Sequence, residues 1–235
     1  MDNRKISLCV PTYNRYDMTL EAIATAVHDD RVDEIIVSDD ASDLSIFNQL
    51  KAALSCFKKV VLSRNATNQD CYFNKFTAVS LAKNDWVILF DSDNKFGKDY
   101  IDTLYGIETW HPKLIYQPDF AKPNFDFQAF SGHAYNANSV ANNLRNGNFS
   151  TMLNAMNYFV NKHEYMSAFN RDVNPNTADS IFHNYNMLKN GCEIYVVPNL
   201  QYEHLVHDGS HYKNNNHKTG NFYNEVEQMI LNLKN

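Results

Sequence analysis

Glycine is scarce in this chain, and the glycine motifs of common nucleotide sites are missing. There are seven glycines in 235 residues, less than half of the roughly 7% that is average for proteins. None of them completes G-x-G-x-x-G, G-x-x-x-x-G-K or G-x-S-x-G. The sequence therefore lacks the signatures of Rossmann dinucleotide binding, of the Walker phosphate loop and of the α/β-hydrolase nucleophile.

Excess positive charge, paired cysteines and long apolar runs are missing as well. The net charge is −6, which disfavours nucleic acid as a partner, because binding by counterion release needs clustered Lys and Arg. The four cysteines form no C-x-x-C pair, so a zinc ribbon or a redox dithiol is disfavoured. No signal peptide or transmembrane segment is recognisable, and we expect a cytoplasmic protein.

Short apolar runs alternate with helical periods along most of the chain. Continuous apolar runs of this kind are typical of parallel strands that are covered on both faces, so the pattern predicts an α/β fold with a mostly parallel central sheet flanked by helices. The predicted strands are 6–10, 34–38, 59–62, 86–90, 114–116, 193–197 and 202–206. The predicted helices are 20–27, 46–54, 76–81, 99–109, 179–190 and 222–233.

Periodicity fades between residues 117 and 176, where aromatic residues and Asn are frequent. We expect long loops there, with one helix over 152–159, and a further loop over 213–221. The aromatic residues of the long stretch can either stack on sugar faces or pack beneath the loops, and the sequence leaves both open. They are Phe120, Phe125, Phe127, Phe130 and Tyr135.

Polar residues follow three of the predicted strands, as PTYNR at 11–15, SDDAS at 38–42 and DSDN at 91–94. Ligands of open α/β sheets bind beyond the carboxyl ends of the strands. A D-x-D pair after a buried strand can hold a divalent ion that bridges two phosphates, or it can simply cap a turn. An EF-hand is excluded, because Lys95 and Phe96 occupy a ligand position and the glycine position.

The order of these motifs resembles the GT-A glycosyltransferases of family 2, inverting enzymes that use nucleotide-sugars. The family also carries an N-x-G-x-S-x-A-R-N motif upstream of its D-x-D. Its Arg falls on Lys75, sixteen positions before Asp91, and its first Asn falls on Asn68. Two positions depart from the family, since Lys75 cannot make the bidentate contact of an arginine and Asp70 replaces a glycine.

The resemblance implies a role for each motif. Asp40, with Asp39 beside it, would accept a hydrogen bond from the base, and Asp93 would bind Mn²⁺ or Mg²⁺ together with Asp91. His207 is the preferred further metal ligand or diphosphate contact, with His204 as the alternative. The donor-binding residues carried over are Pro11, Thr12, Tyr13, Arg15, Asp39, Asp40, Asn68, Lys75, Asp91 and Ser92.

The downstream half resembles the family where an acidic pair opens a helix that ends in glycine. Asp179 takes the place of the catalytic base, while Ala178 stands where the family has its other acidic residue. Without the resemblance, Asp179 would be interpreted as a helix N-cap or first-turn carboxylate.

Together these features predict a single GT-A domain over 1–235, with a nucleotide-sugar half at 1–95, an acceptor and catalytic half at 96–212 and a C-terminal loop and helix at 213–235. The expected activity is transfer from a UDP-sugar to a glycan, lipid-linked or other acceptor, with a homo-oligomer as a possible assembly. One alternative is a nucleotidyltransferase, although 11–15 lacks its Gly-rich phosphate loop. Another is a glycan-binding module with a degenerate site.

Overall fold

The computed structural model describes residues 4–155, 157–205, 219 and 221–234, and one mixed sheet runs through them. Its strands are β1 (Ile6–Thr12), β2 (Val32–Asp39), β3 (Val60–Arg64), β4 (Trp86–Leu89), β5 (Asn94–Lys95), β6 (Leu114–Lys122), β7 (Phe125–Asp126), β8 (Ala134–Tyr135), β9 (Phe159–Asn161) and β10 (Glu193–His204). Its helices are α1 (Tyr16–Val27), α2 (Leu44–Leu54), α3 (Asp70–Leu81), α4 (Lys98–Gly106), α5 (Ala137–Asn143), α6 (Phe149–Leu153), α7 (Lys162–Ser167), α8 (Asp179–Lys189) and α9 (Phe222–Leu231). None of the helices in these ranges has the length and apolar character needed to cross a membrane.

The first half of the chain forms a parallel sheet with the strand order β3-β2-β1-β4. Every residue of β1 is buried, as expected for a strand covered on both faces. Helices α1 and α3 pack against β1 and β2. The predicted strands and helices of this half are all confirmed, although α3 begins six residues earlier than its apolar pattern predicted.

The second half makes the sheet mixed, because β9 lies antiparallel between β4 and β6. The prediction of long loops over 117–176 is wrong for much of that stretch. Strand β6 continues to Lys122, and three short strands, β7, β8 and β9, pair with β6, β10 and β4. Each is only two or three residues long, too short for a recognisable period, and the pairing partners of β8 and β9 are distant in sequence.

The helix predicted over 152–159 is also placed wrongly. Helix α6 ends at Leu153, and Phe159 begins strand β9. Between them Asn157 has a φ of 95°, a value that an α-helix does not allow. A left-handed residue at this point lets the chain leave the helix and enter the sheet.

The C-terminal strands predicted over 193–197 and 202–206 are one strand, β10. Its register with β6 shifts between Val197 and Gln201, where Pro198 has no N–H to donate and Asn199 has a φ of 63°. Helices α8 and α9 are confirmed within two residues at each end. Most of the loop predicted over 213–221 lies outside the described residues.

Candidate active site

The three polar motifs meet at one edge of the sheet, because β1, β2 and β4 are neighbours and run in parallel. The backbone N–H of Asp40 donates to the carbonyl of Thr12 at 2.9 Å, and that of Phe90 donates to Cys9 at the same distance. Pro11 and Thr12 are buried at the end of β1. The motif at 11–15, the motif at 38–42 and the D-x-D therefore share a single surface.

Two reciprocal hydrogen bonds join the first two motifs. The backbone N–H of Asn14 donates to Ser42 Oγ at 2.8 Å, and the backbone N–H of Asp43 donates to Asn14 Oδ1 at 2.8 Å. Asn14 and Ala41 have φ values of 52° and 61°, so both turns are tight. Tyr13, the residue before Asn14, is 48% exposed beside these two turns.

Asp39 is fully buried at the end of β2. Its Oδ1 accepts hydrogen bonds from Arg64 Nη1 at 3.1 Å and from the backbone N–H of Ser42 at 3.2 Å. Its Oδ2 is buried with no hydrogen-bond partner among the described residues. A buried carboxylate oxygen without a donor is costly, so this atom can readily accept a hydrogen bond from a ligand or a bound water.

The neighbouring Asp40 is also buried and accepts two hydrogen bonds at Oδ1. Asn65 Nδ2 donates at 2.8 Å and the backbone N–H of Gln69 at 2.9 Å. Burial raises the pKa of the Asp40 carboxyl, which the hydrogen bonds from Asn65 and Gln69 counteract only in part. Asn74 holds the residue before the two aspartates, because its side chain exchanges hydrogen bonds with the side chain and carbonyl of Ser38.

The D-x-D motif follows β4 and is fixed by Asn157, whose Oδ1 accepts a hydrogen bond from the backbone N–H of Asp91 at 2.7 Å. Ser92 is buried. Arg15 contacts the rest of the motif, with Nη2 3.0 Å from Asp93 Oδ2 and Nη1 3.3 Å from Ser92 Oγ. The first motif is thus linked to the third through a charged pair.

A buried lysine joins the D-x-D to the start of α8. Lys75 Nζ lies 2.9 Å from Asp179 Oδ2 and 3.2 Å from Asp91 Oδ1. Burial alone would lower the pKa of the Lys75 ammonium, but the charges of Asp179 and Asp91 outweigh it and raise that pKa well above its ordinary value. The lysine is therefore a permanent positive charge between two carboxylates.

The D-x-D carboxylates suit a divalent metal, although the described residues do not complete its coordination. Carboxylate oxygens are the ligands that Mg²⁺ and Mn²⁺ favour, and a metal bound through one or two of them takes the rest from water and phosphate. Within the described ranges, no three His, Cys, Asp or Glu side chains are grouped as a metal site. His207 lies outside those ranges. His204 pairs with Asn94 in the sheet, and its Nδ1 is 2.8 Å from Asn124 Nδ2.

One sequence-derived residue stands apart from this group. Asn68 is exposed in the loop before α3, where its Oδ1 accepts a hydrogen bond from the backbone N–H of Asp70. The contact with Asp40 comes instead from Asn65, three residues earlier. Asn65, Arg64, Asn74 and Asn157 were missed, since none belongs to a motif that indicates a contact with a distant carboxylate.

The aromatic residues of the 117–176 stretch are explained mainly by packing. Phe127 is fully buried, and Phe130 packs edge to face against Phe149 with ring centroids 5.0 Å apart. Phe125 lies against Phe127 and His204. Of the two interpretations left open by the sequence, packing beneath the loops therefore applies to Phe127 and Phe130.

This chain is similar to known proteins in both sequence and structure. The family described as Glycosyl transferase family 2 matches residues 7–177. Abequosyltransferase RfbV of Salmonella typhimurium is 29% identical over 103 residues, which are 42% of this chain and 31% of that enzyme. S. aureus TarS 1-349 in complex with UDP-GlcNAc superposes with a TM-score of 0.70 at 17% identity, over 96% of this chain and 65% of TarS 1-349.

The complex of S. aureus TarS 1-349 with UDP gives a TM-score of 0.66 at 18% identity, covering 96% of this chain and 64% of that one. At these identities the likeness to TarS shows the GT-A fold, and the chain spans about a third of RfbV and under two thirds of TarS 1-349. The family match extends over most of the chain, from β1 past the D-x-D to the residues just before Asp179. The chain belongs to glycosyl transferase family 2.

Proposed function

We propose that this chain is an inverting glycosyltransferase that moves a sugar from a UDP-sugar to a glycan or another hydroxyl-bearing acceptor, with Mn²⁺ or Mg²⁺. One observation carries the proposal. Lys75 contacts both Asp91 of the D-x-D and Asp179 at the start of α8, so the donor carboxylates and the candidate base lie within one ion-pair network. Inverting transfer needs the carboxylates that bind the donor and the general base on opposite faces of the transferred sugar.

The base of the donor is assigned to the Asp39 and Asp40 corner. Both carboxylates are buried, and Asp39 Oδ2 needs a hydrogen-bond donor. The imide N–H of uracil is such a donor. The exposed ring of Tyr13 lies beside this corner and offers a face for the base. The complexes of TarS with UDP and with UDP-GlcNAc support a uridine donor.

The diphosphate is assigned to the D-x-D. Asp93 and Asp91 would hold the metal. Their side chains are 15% and 29% exposed, so both carboxylates can reach a ligand. When bound, the metal would neutralise the negative charge that develops on the departing diphosphate. Arg15 lies against Asp93 and Ser92, where its guanidinium can reach the same phosphates.

Asp179 is assigned as the general base. Its carboxylate would accept the proton of the acceptor hydroxyl while that oxygen bonds to the anomeric carbon and UDP leaves on the opposite face. General base catalysis of this kind contributes about 10²–10⁴-fold. The hydrogen bond from Lys75 to Oδ2 orients the carboxylate.

The proposal is tested by calorimetric titration of UDP with Mn²⁺ and with a chelator. Mn²⁺ should tighten UDP binding in the parent, and Asp93→Ala should lose that effect. Asp17→Ala is the matched control, because Asp17 is an exposed carboxylate two residues from Arg15. If Asp93→Ala binds UDP with Mn²⁺ as tightly as the parent, the metal assignment is wrong. Release of UDP from a panel of UDP-sugars tests turnover, and binding without any turnover would favour a glycan-binding module.

A further inference from the structure

The carboxylate of Asp93, which is assigned to the metal, is already paired with a cationic side chain of the protein. Arg15 Nη2 lies 3.0 Å from Asp93 Oδ2, and Arg15 Nη1 lies 3.3 Å from Ser92 Oγ. The two charged side chains are 18% and 15% exposed, so this pair is largely shielded from water. Shielding strengthens the attraction between the charges and makes each one costly to leave alone.

The backbone of Arg15 is held in place, whereas its side chain is a long stem with several rotatable bonds. The residue before it, Asn14, is joined to Ser42 and Asp43. The carbonyl of Arg15 accepts hydrogen bonds from the backbone N–H and the hydroxyl of Thr19. A movement at this position is therefore confined to the guanidinium and its flexible stem. The same planar group can pair with a carboxylate or with a phosphate.

A metal ion on Asp93 competes with Arg15 for the same oxygen atoms, and the two positive charges repel each other. We infer that Arg15 is an exchange cation: it neutralises Asp93 when the site is empty, and it moves to the donor diphosphate when the metal takes that carboxylate. The inference rests on the proposed metal-dependent use of UDP-sugars. It makes Arg15 a residue that strengthens the coupling between metal binding and donor binding.

The coupling follows from the charges. Metal alone would displace Arg15 from the carboxylate with which it is paired. UDP alone would draw Arg15 away from Asp93, and the attraction between the two charges would be lost. When both ligands bind, the metal pairs with Asp93 and Arg15 pairs with the diphosphate, so each ligand tightens the binding of the other by the same factor. Lys75 cannot act in this way, because it is buried and held by Asp91 and Asp179 together.

The test is a set of four titrations by calorimetry: Mn²⁺ without UDP, Mn²⁺ with saturating UDP, UDP with a chelator and UDP with saturating Mn²⁺. In the parent, the two ligands should tighten each other by about 5- to 150-fold, the usual range of coupling between sites. Arg15→Gln should bind Mn²⁺ alone more tightly, bind UDP with Mn²⁺ more weakly, and lower the coupling factor by about fivefold or more. Arg15→Lys keeps the charge without the planar fork and should retain part of the coupling.

Arg31→Gln is the control, since Arg31 pairs with Asp29 and Asp102 away from the site and its loss should leave the coupling unchanged. Equal weakening of UDP by Arg15→Gln with and without Mn²⁺ would overturn the exchange and make Arg15 a simple phosphate contact. Unchanged affinities would reduce the pair to a structural one. If Mn²⁺ does not tighten UDP in the parent, the proposed metal role fails and the inference fails with it, whereas unchanged coupling in Arg15→Gln alone refutes only the inference.

Discussion

The Lys75 ammonium lies 2.9 Å from Asp179 Oδ2, although 104 positions separate the two residues in the chain. Both side chains are less than a tenth exposed. Lys75 comes from the middle of α3 and Asp179 from the first turn of α8. This contact joins the half of the chain that carries the three polar motifs to the half that carries the candidate base.

Lys75→Met should destabilise the fold by about 3–5 kcal/mol at neutral pH, because it leaves a buried carboxylate without its cation. Asp179→Asn in the same chain removes that charge, so the double variant should recover at least about half of the loss. Urea denaturation of the parent, the two single variants and the double variant measures the interaction. Additive losses in the double variant would show that the two side chains do not stabilise each other.

The assignment of Asp179 as the base predicts a separate kinetic effect. Asp179→Asn keeps a hydrogen-bonding side chain beside Lys75 but is not basic, so kcat should fall by at least about 10²-fold. UDP affinity in the presence of Mn²⁺ should stay nearly unchanged. Asp172→Asn is the matched control, since Asp172 is an exposed carboxylate in the loop that precedes α8. Near-normal turnover by a folded Asp179→Asn would remove the residue from the mechanism.

The parallel half of the fold could be predicted from sequence because its signals are local. Each strand of 6–90 is a continuous apolar run, and each polar motif follows its strand directly. The carboxyl ends of neighbouring parallel strands lie at one edge of a sheet, so the motifs are expected to group there. Asp40 and Thr12 are in fact joined by a backbone hydrogen bond at that edge.

What escaped prediction depends on contacts between distant residues. Strand β9 is three residues long and exists because β4 and β6 lie on either side of it. Asn157 positions Asp91 across 66 residues from a left-handed backbone conformation, which no pattern near it indicates. The Lys75 contact with both carboxylates has the same character, because the family resemblance gave its position but not its partners.

The raised pKa of Asp40 predicts a pH effect on base recognition. In the proposed site the ionised Asp40 carboxylate contributes to binding of the base, and burial raises its pKa, so protonation begins at a higher pH than for an ordinary aspartate. Uridine affinity should therefore fall as the medium becomes mildly acidic. Uridine has no phosphate, so metal binding does not contribute. NMR titrations of the parent and of Asp40→Asn across this range measure the effect, and an equal pH dependence in both would assign it elsewhere.

A buried histidine behind the site predicts how the stability of the fold depends on pH. His183 of α8 is fully buried, and its ring lies 4.0 Å from that of Tyr165 and 5.9 Å from that of Tyr72, measured between centroids. Burial lowers the pKa of His183 to about 3, against an ordinary value of 6.5. Below pH 6.5 the His183 ring is therefore protonated in the unfolded chain, whereas in the folded chain it stays neutral until about pH 3.

It follows that the contribution of His183 to the free energy of unfolding is fully present above pH 6.5 and declines as the pH falls towards 3. Between neutral pH and pH 5 the loss is about 2 kcal/mol. His183→Phe keeps an aromatic ring against Tyr165 but cannot titrate. Between neutral pH and pH 5 its free energy of unfolding should therefore fall by about 2 kcal/mol less than that of the parent. His163→Gln, which changes an exposed histidine, should follow the parent. Urea denaturation at several pH values measures the difference, and parallel curves for His183→Phe and the parent would show that His183 does not titrate differently in the folded and unfolded states.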